Sequence, residues 1–337
     1  MLTVVVGGFF GDEGKGKLVA YLGLADDVVA AVRVGSVNAG HTVVWKGVTY
    51  KLRLIPSAFV NSKTKLMIAS GALVRKDVFL SEVEALGVRD RVFLDRHAGV
   101  IDEEHVIRER EDPNLSGRIG STLQGVGAAM ADRVLRRLKL AEDYPELRPY
   151  LIDVSEVVND YVDRGFNVLV EGTQGTFLSL YHGTYPYVTS RDTTSSAVLS
   201  EVGLGPKKVD EVVVVFKSFV TRVGEGPLDG ELPEEEVIKR GLIERGTVTG
   251  RARRVAPFNL ELAKKAIVLN SATQVAITKL DWLFPNAYGV KEWGKLPAEA
   301  RRWVDEIEGA LGVPITLIGT GEEVEHVIDR RRELGYL

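Results

Sequence analysis

The chain has 337 residues, 45% of them hydrophobic, enough to bury the core of one large α/β domain. Its 43 Lys and Arg against 47 Asp and Glu give a net charge of −4, which argues against a dedicated nucleic-acid binder and leaves any anionic ligand to local clusters. The absence of cysteine excludes disulfides, thiol catalysis and thiolate metal sites, so a metal would need oxygen or imidazole ligands.

The chain opens MLTVVVGGFFGDEGKGK, with no basic stretch ahead of its apolar residues as a signal peptide would have. No uninterrupted apolar run approaches the ~20 residues of a membrane helix. A cytoplasmic protein with no membrane or nucleic-acid partner is expected. Thr3–Val6 reads as a buried strand, followed by a glycine-rich turn, Lys15 and Lys17, and a helix-compatible LVAYLGL. Glycines let backbone amides approach phosphate oxygens, and a helix N-terminus adds partial positive charge. The loop departs from an ordinary P-loop. Phe9 stands where the first glycine should be, and Gly16 rather than Ser or Thr follows Lys15. Asp12 and Glu13 inside it are unexpected, because carboxylates beside phosphates repel unless a metal intervenes or one acts as a base. A tight βα turn without a ligand is the plainer reading of such a loop.

The apolar run Ala30 to Val34 leads to Asn38-Ala39-Gly40-His41-Thr42, a turn offering an amide, a carbonyl, an imidazole and a hydroxyl. A lone histidine is usually structural, but so close behind the phosphate loop His41 is better read as a donor to a phosphoryl oxygen. Strand patterns recur at Leu66–Ala69, Val92–Leu94, Val168–Val170, Val212–Phe216, Val275–Thr278 and Ile315–Ile318. Between them, residues 127–140, 262–270 and 298–311 have helical period. The fold class predicted is α/β, a mainly parallel central sheet with helices on both faces in a P-loop-like architecture, with ligands at the carboxyl ends of the strands. The irregular stretches 108–124, 183–194 and 224–233 read as ligand-facing loops rather than domain boundaries. The whole of 1–337 is read as one domain.

GDEGKGK followed by NAGHT, with the blocks at 171–194, 248–254 (VTGRARR), 277–281 (ITKLD) and 318–323 (IGTGEE), resembles the adenylosuccinate synthetases. The resemblance implies a ligase that uses GTP and one Mg²⁺ to join IMP to L-aspartate through 6-phosphoryl-IMP, releasing GDP and phosphate. It implies catalytic roles for Asp12, the base at purine N1, and for His41, Lys15 and Gln174, with Mg²⁺ held by Asp12 and Gly40. GTP would meet Gly11, Glu13, Gly14, Lys15, Gly16, Lys17, Gly40, His41, Thr42, Arg253, Lys279, Asp281, Gly319, Thr320 and Gly321. Asp281 can accept from N1–H and the 2-amino group of guanine, a donor pair that adenine lacks.

IMP would meet Asp12, Lys15, Asn38, Ala39, Gly40, His41, Thr122, Gln174, Thr189 and Arg251, with Arg136 supplied by the other subunit of a homodimer. L-Aspartate would meet Val248, Thr249, Arg251 and Arg253, since guanidinium suits carboxylate pairs. On pattern alone the arginine run is a solvated basic face, and Arg136 is a surface residue on a helix. Residues 109–145 are expected as a helical and loop insertion at the dimer interface. Phe10 stands where Trp commonly precedes GDEGKGK, VAPFN replaces Cys-Gly-Trp-Phe, and the chain is shorter than many family members. Two other readings stay open: a GTP-binding switch without ligase chemistry, and a ligase or kinase of a related purine.

Overall fold

The computed structural model describes residues 1–244, 250 and 252–337. Ten strands form its central sheet. From one edge they run Val327–Asp329, Ile315–Gly319, Gln274–Thr278, Glu211–Lys217, Leu2–Gly7, Val168–Glu171, Ala30–Arg33, Lys65–Ile68, Val92–Asp95 and Leu151–Ile152. All neighbours pair in parallel except Val327–Asp329, which runs antiparallel at its edge.

Alternation along the strands assigns each side chain to a face. Val4, Val6, Val168, Val170, Val212, Val214 and Val275 pack beneath helices Val154–Asp163, Ser195–Val202, Leu260–Asn270 and Ala298–Leu311. Val5, Leu169, Val213, Val215 and Ala276 point the other way, against Leu18, Val19 and Leu22 of helix Lys15–Ala25. Both faces are therefore covered, which is why these strands are mostly apolar, with their polar residues standing at or next to the strand ends. No helix among the described residues is long and apolar enough to cross a membrane.

The chain leaves Leu2–Gly7 towards one edge, to Ala30–Arg33 and beyond, and later builds the other edge from Glu211–Lys217 onward. This reversal of strand order opens a crevice at the carboxyl end of the first strand, where the glycine-rich loop begins. A hairpin, His41–Trp45 with Val48–Leu52, and an antiparallel pair more distant in sequence, Phe219–Arg222 with Arg254–Pro257, rim it.

The helix expected over 127–140 is shorter, Val126–Val134. Its sequence keeps helical period, but Val100 N donates to Lys139 O at 3.0 Å, and Leu140 bridges Gly99. Tertiary pairing thus pulls the segment out of the helix, and the chain reverses through Arg136 at φ 60°. Arg136 is accordingly exposed in a turn, not on a helix.

Candidate active site

The phosphate loop holds its shape through its own acid. Glu13, fully buried, accepts from Phe9 N at 3.0 Å and Gly11 N at 2.8 Å with one oxygen, and from Lys15 Nζ at 2.6 Å with the other. The Glu13 side chain is therefore spent inside the loop, leaving only its backbone to a nucleotide. Thr278 Oγ1, at the end of strand Gln274–Thr278 and two strands away in the sheet, donates to Glu13 O at 2.6 Å and fixes the loop to the sheet. Asp12 takes φ 61°, so its half-exposed carboxylate stands out of the loop and meets Arg253 Nη2 at 2.9 Å.

A cavity of about 780 Å³ opens beneath the loop. Gly11, Asp12, Lys15, Asn38, Ala39, Gly40, His41, Thr122, Gln174 and Thr189 all line it, so most of the residues singled out for IMP and for catalysis converge from five separate segments. Segments of all three irregular stretches contribute to its wall, at Asn114–Thr122, Tyr185–Ser190 and Gly224–Glu225. Gln174 Nε2 donates to Thr189 Oγ1 at 2.9 Å. Asn38 Oδ1, His41 Nε2 and Gln174 Oε1 are buried polar atoms without a hydrogen-bond partner among the described residues, which is costly unless a ligand supplies one.

His41 opens the hairpin and is wedged against helix Lys15–Ala25. A methyl group on Gly16 would come within 2.8 Å of His41 Cβ and 3.0 Å of Ser57 Oγ, so only glycine fits there. The imidazole Nδ1 lies 2.5 Å from Glu171 Oε1. Burial, together with the Arg33 and Lys15 charges, pushes the His41 pKa down to about 4 against the opposing pull of Glu171. For Glu171 burial acts upward, but Arg33, His41 and Ser57 outweigh it and hold the carboxyl at about 2.

The residues expected to read guanine do not line this cavity. Lys279 takes φ 55° at the end of strand Gln274–Thr278, followed by Asp281. Asp281 Oδ1 is buried without a partner, and burial raises its carboxyl while Lys17 and Lys279 oppose. Lys17 departs from the phosphate role expected of it: its ammonium donates to the carbonyls of Gly321 and, at 2.7 Å, His326. Helix geometry sends its side chain along the flank towards the turn Gly319–Gly321 rather than over the loop, and burial lowers its pKa to about 7. Thr42 lies exposed on the hairpin and outside the cavity wall. Val248, Thr249 and Arg251 lie outside the described residues.

Sequence reading missed several residues of the site. Glu171, Arg33 and Ser57 surround His41, while Glu244, buried, gathers Lys217 at 2.9 Å together with Lys279 and Arg253. Arg222 lies against the Phe10 ring, 4.5 Å from its centroid, in the cavity wall. A usable signal was present: a charged residue closing an otherwise apolar buried strand, as Arg33, Glu171 and Lys217 each do. The acidic cluster of Glu104, His105 and Asp132 is separate, since none of the three lines the cavity, and Arg108 already pairs with Asp132 at 2.6 Å.

A family model described as adenylosuccinate synthetase matches residues 4–144 and 138–287. The adenylosuccinate synthetase of Pyrococcus horikoshii is 52% identical over 334 residues, covering 98% of both chains. That of Methanocaldococcus jannaschii is 52% identical over 337 residues, 98% of this chain and 97% of its own. Such relatives are matched almost end to end, as a short form of the family would be. Among solved structures, fully ligated adenylosuccinate synthetase from Plasmodium falciparum has the same fold, with a TM-score of 0.90 at 24% identity over 97% of this chain and 99% of that one. Succinoaminodeoxyadenylate synthetase of cyanophage S-2L, bound to dGMP and dATP, gives a TM-score of 0.81 at 26% identity over 99% and 98%.

Proposed function

Since the chain belongs to the adenylosuccinate synthetase family, and is thereby a GTP-dependent ligase of IMP and L-aspartate, we propose that the cavity beneath the phosphate loop is its IMP site. The observation that carries this is the convergence of Asp12 with the unpartnered atoms of Asn38, His41 and Gln174 in one cavity. The relatives lend no support to a switch without ligase chemistry.

Hypoxanthine's 6-oxygen is a poor nucleophile until N1 loses its proton. Asp12, held outward by its left-handed backbone, is the base for that proton. The activated oxygen then takes the γ-phosphoryl group of GTP as the bond to the β-phosphate breaks, giving 6-phosphoryl-IMP and GDP. The amino group of aspartate displaces phosphate from C6 in the second step. Lys15 and the loop amides neutralise charge on the transferring group. Because Glu171 takes His41 Nδ1–H, only a protonated Nε2 can donate to the phosphoryl oxygens, so His41 acts as imidazolium, a state the incoming phosphate charge favours.

Mg²⁺ suits the donors present, since the Asp12 carboxylate and the Gly40 carbonyl are hard oxygens lining the same cavity. Bound there, it would supply positive charge opposite the phosphate oxygens. Guanine is read by Asp281 beside Lys279 and the turn Gly319–Gly321. Arg253, now on Asp12, is the cation freed for the incoming substrates when that pair opens. Val248, Thr249 and Arg251 are assigned to aspartate, and Arg251 also to IMP. We further infer a cytoplasmic single-domain subunit in a homodimer, with residues 109–145 at the interface.

Asp12→Asn tests the assignment. Asparagine tolerates the left-handed backbone, so the variant should fold and retain GTP. Turnover of GTP with IMP and aspartate present should fall by about 100-fold or more. A variant that keeps its turnover would remove Asp12 as the base.

A further inference from the structure

The imidazole of His41 is held from behind by a buried cluster to which the sequence motifs assign no role, although Glu171 opens the block at 171–194. Arg33 and Glu171 are the last residues of adjacent parallel strands and are direct register partners, which places a guanidinium beside a carboxylate at the floor of the crevice. Glu171 has no solvent exposure. Its Oε1 lies 2.5 Å from His41 Nδ1 and accepts from Ser57 Oγ at 2.6 Å, and its Oε2 accepts from Ser57 N at 2.7 Å. Arg33 Nη1 stands 3.6 Å from Oε1 and also donates to Ile55 O at 3.2 Å. Its Nη2 donates to Ala39 O at 3.1 Å, so the same guanidinium pins the turn that delivers Gly40 and His41.

Each oxygen of Glu171 is thus fixed before His41 arrives, and the remaining direction on Oε1 is filled by Nδ1. Rotation of the ring about its Cβ–Cγ bond would lose that contact and turn a carbon towards the transferring group. With Nδ1 held, Nε2 is the ring nitrogen left facing the cavity, and it is the one without a partner among the described residues.

The geometry points to Glu171 as the positioning residue for His41 in phosphoryl transfer, with Ser57 and Arg33 fixing its carboxylate. This rests on the reading of His41 as the donor to the phosphoryl group. A carboxylate oriented behind a histidine in this way governs which nitrogen does the chemistry without touching the substrate. A merely structural Glu171 would instead be a counter-ion to Arg33, and its loss would weaken folding and binding together.

The test is a double-mutant cycle on His41→Ala and Glu171→Gln, read as kcat and KM with IMP, aspartate and GTP. Glutamine keeps the shape and can still accept from Ser57, but it withdraws the charge that orients Nδ1–H. Glu171→Gln should lower kcat by about 100-fold with each KM within roughly threefold of wild type. The doubly substituted enzyme should be no slower than His41→Ala alone, because both changes remove one interaction. Full kcat in Glu171→Gln, beside a disabled His41→Ala, would overturn the role of Glu171 and leave that of His41 intact. Full turnover in His41→Ala would overturn the reading of His41 itself, and the positioning role with it. If Glu171→Gln fails to fold, Ser57→Ala takes its place, with kcat expected to fall by about tenfold in the wild type and not at all in the His41→Ala background. Additive losses there would overturn the proposal.

Discussion

Asp281 and His41 show how a buried group left short of a partner exposes its function. Asp281 Oδ1 has no donor among the described residues, whereas guanine would bring two, N1–H and the 2-amino group. Hydrogen bonds to a charged acceptor contribute about 1.5–3 kcal/mol each, so Asp281→Asn should cut kcat/KM for GTP by about 100-fold. Xanthosine triphosphate carries a 2-oxo group that the asparagine amide can donate to, and it should gain on GTP in the variant. Equal losses for the two nucleotides would show that Asp281 does not read the 2-position. His41 makes a prediction about stability. Its pKa of about 4 in the folded chain lies below the ordinary 6.5 of an unfolded imidazole. Between those values the unfolded chain binds a proton that the folded chain refuses. The contribution is fully present above pH 6.5 and is lost as pH falls towards 4. Urea midpoints measured across that window should fall with pH less steeply in His41→Asn than in wild type, and identical slopes would contradict the burial argument.

At the level of elements, the boundary between what could be read from the sequence and what could not follows the range of the interactions. Strands such as Val168–Glu171 and Glu211–Lys217 were legible because burial on both faces demands an apolar run rich in valine. The phosphate loop was legible because its chemistry lies in consecutive residues. Leu151–Ile152 was not, being a two-residue edge strand, nor was the end of helix Val126–Val134, where pairing with Gly99 and Val100 overrides local propensity. The cluster behind His41 was hidden for the same reason: Arg33, Ser57 and Glu171 meet only through sheet register and a turn. The junction of first strand and loop carries a test of its own. Gly8 N donates to Val215 O at 2.8 Å, and a methyl group on Gly8 would lie 2.0 Å from the Phe216 ring. Phe216 in turn packs on Phe9 and Phe258, with centroids 4.7 and 5.9 Å away, so it has little room to yield. Gly8→Ala should destabilise the fold by about 1–3 kcal/mol in urea unfolding, the usual cost of overpacking. A variant as stable as wild type would mean that the ring can be re-seated without cost.

Over the whole molecule, the residues proposed for guanine lie outside the cavity that Gly11, Asp12 and Lys15 of the phosphate loop line, so that GTP laid along the loop between the two would deliver its γ-phosphate at Asp12 and His41. What the single chain leaves outside is Arg136. The turn that ends helix Val126–Val134 carries it out to solvent beside Val134 and Leu135, which are 68% and 54% exposed. Two bare aliphatic residues next to an arginine make sense on a surface that a second subunit covers. If Arg136 completes the neighbour's IMP site, activity should be recoverable from two inactive proteins. Asp12→Asn and Arg136→Leu homodimers would each be dead. A mixed dimer would hold one site with both lesions and one with neither, so random pairing should restore about a quarter of wild-type turnover. Were Arg136 to serve its own subunit, each site of the mixed dimer would carry one lesion and mixing would restore nothing. Co-expression of the two variants, with turnover assayed on the purified mixture, separates these outcomes. Leu135→Asp gives the complementary measurement: a charge in the aliphatic contact should shift the protein to monomer in sedimentation, and turnover should fall with the dimer fraction.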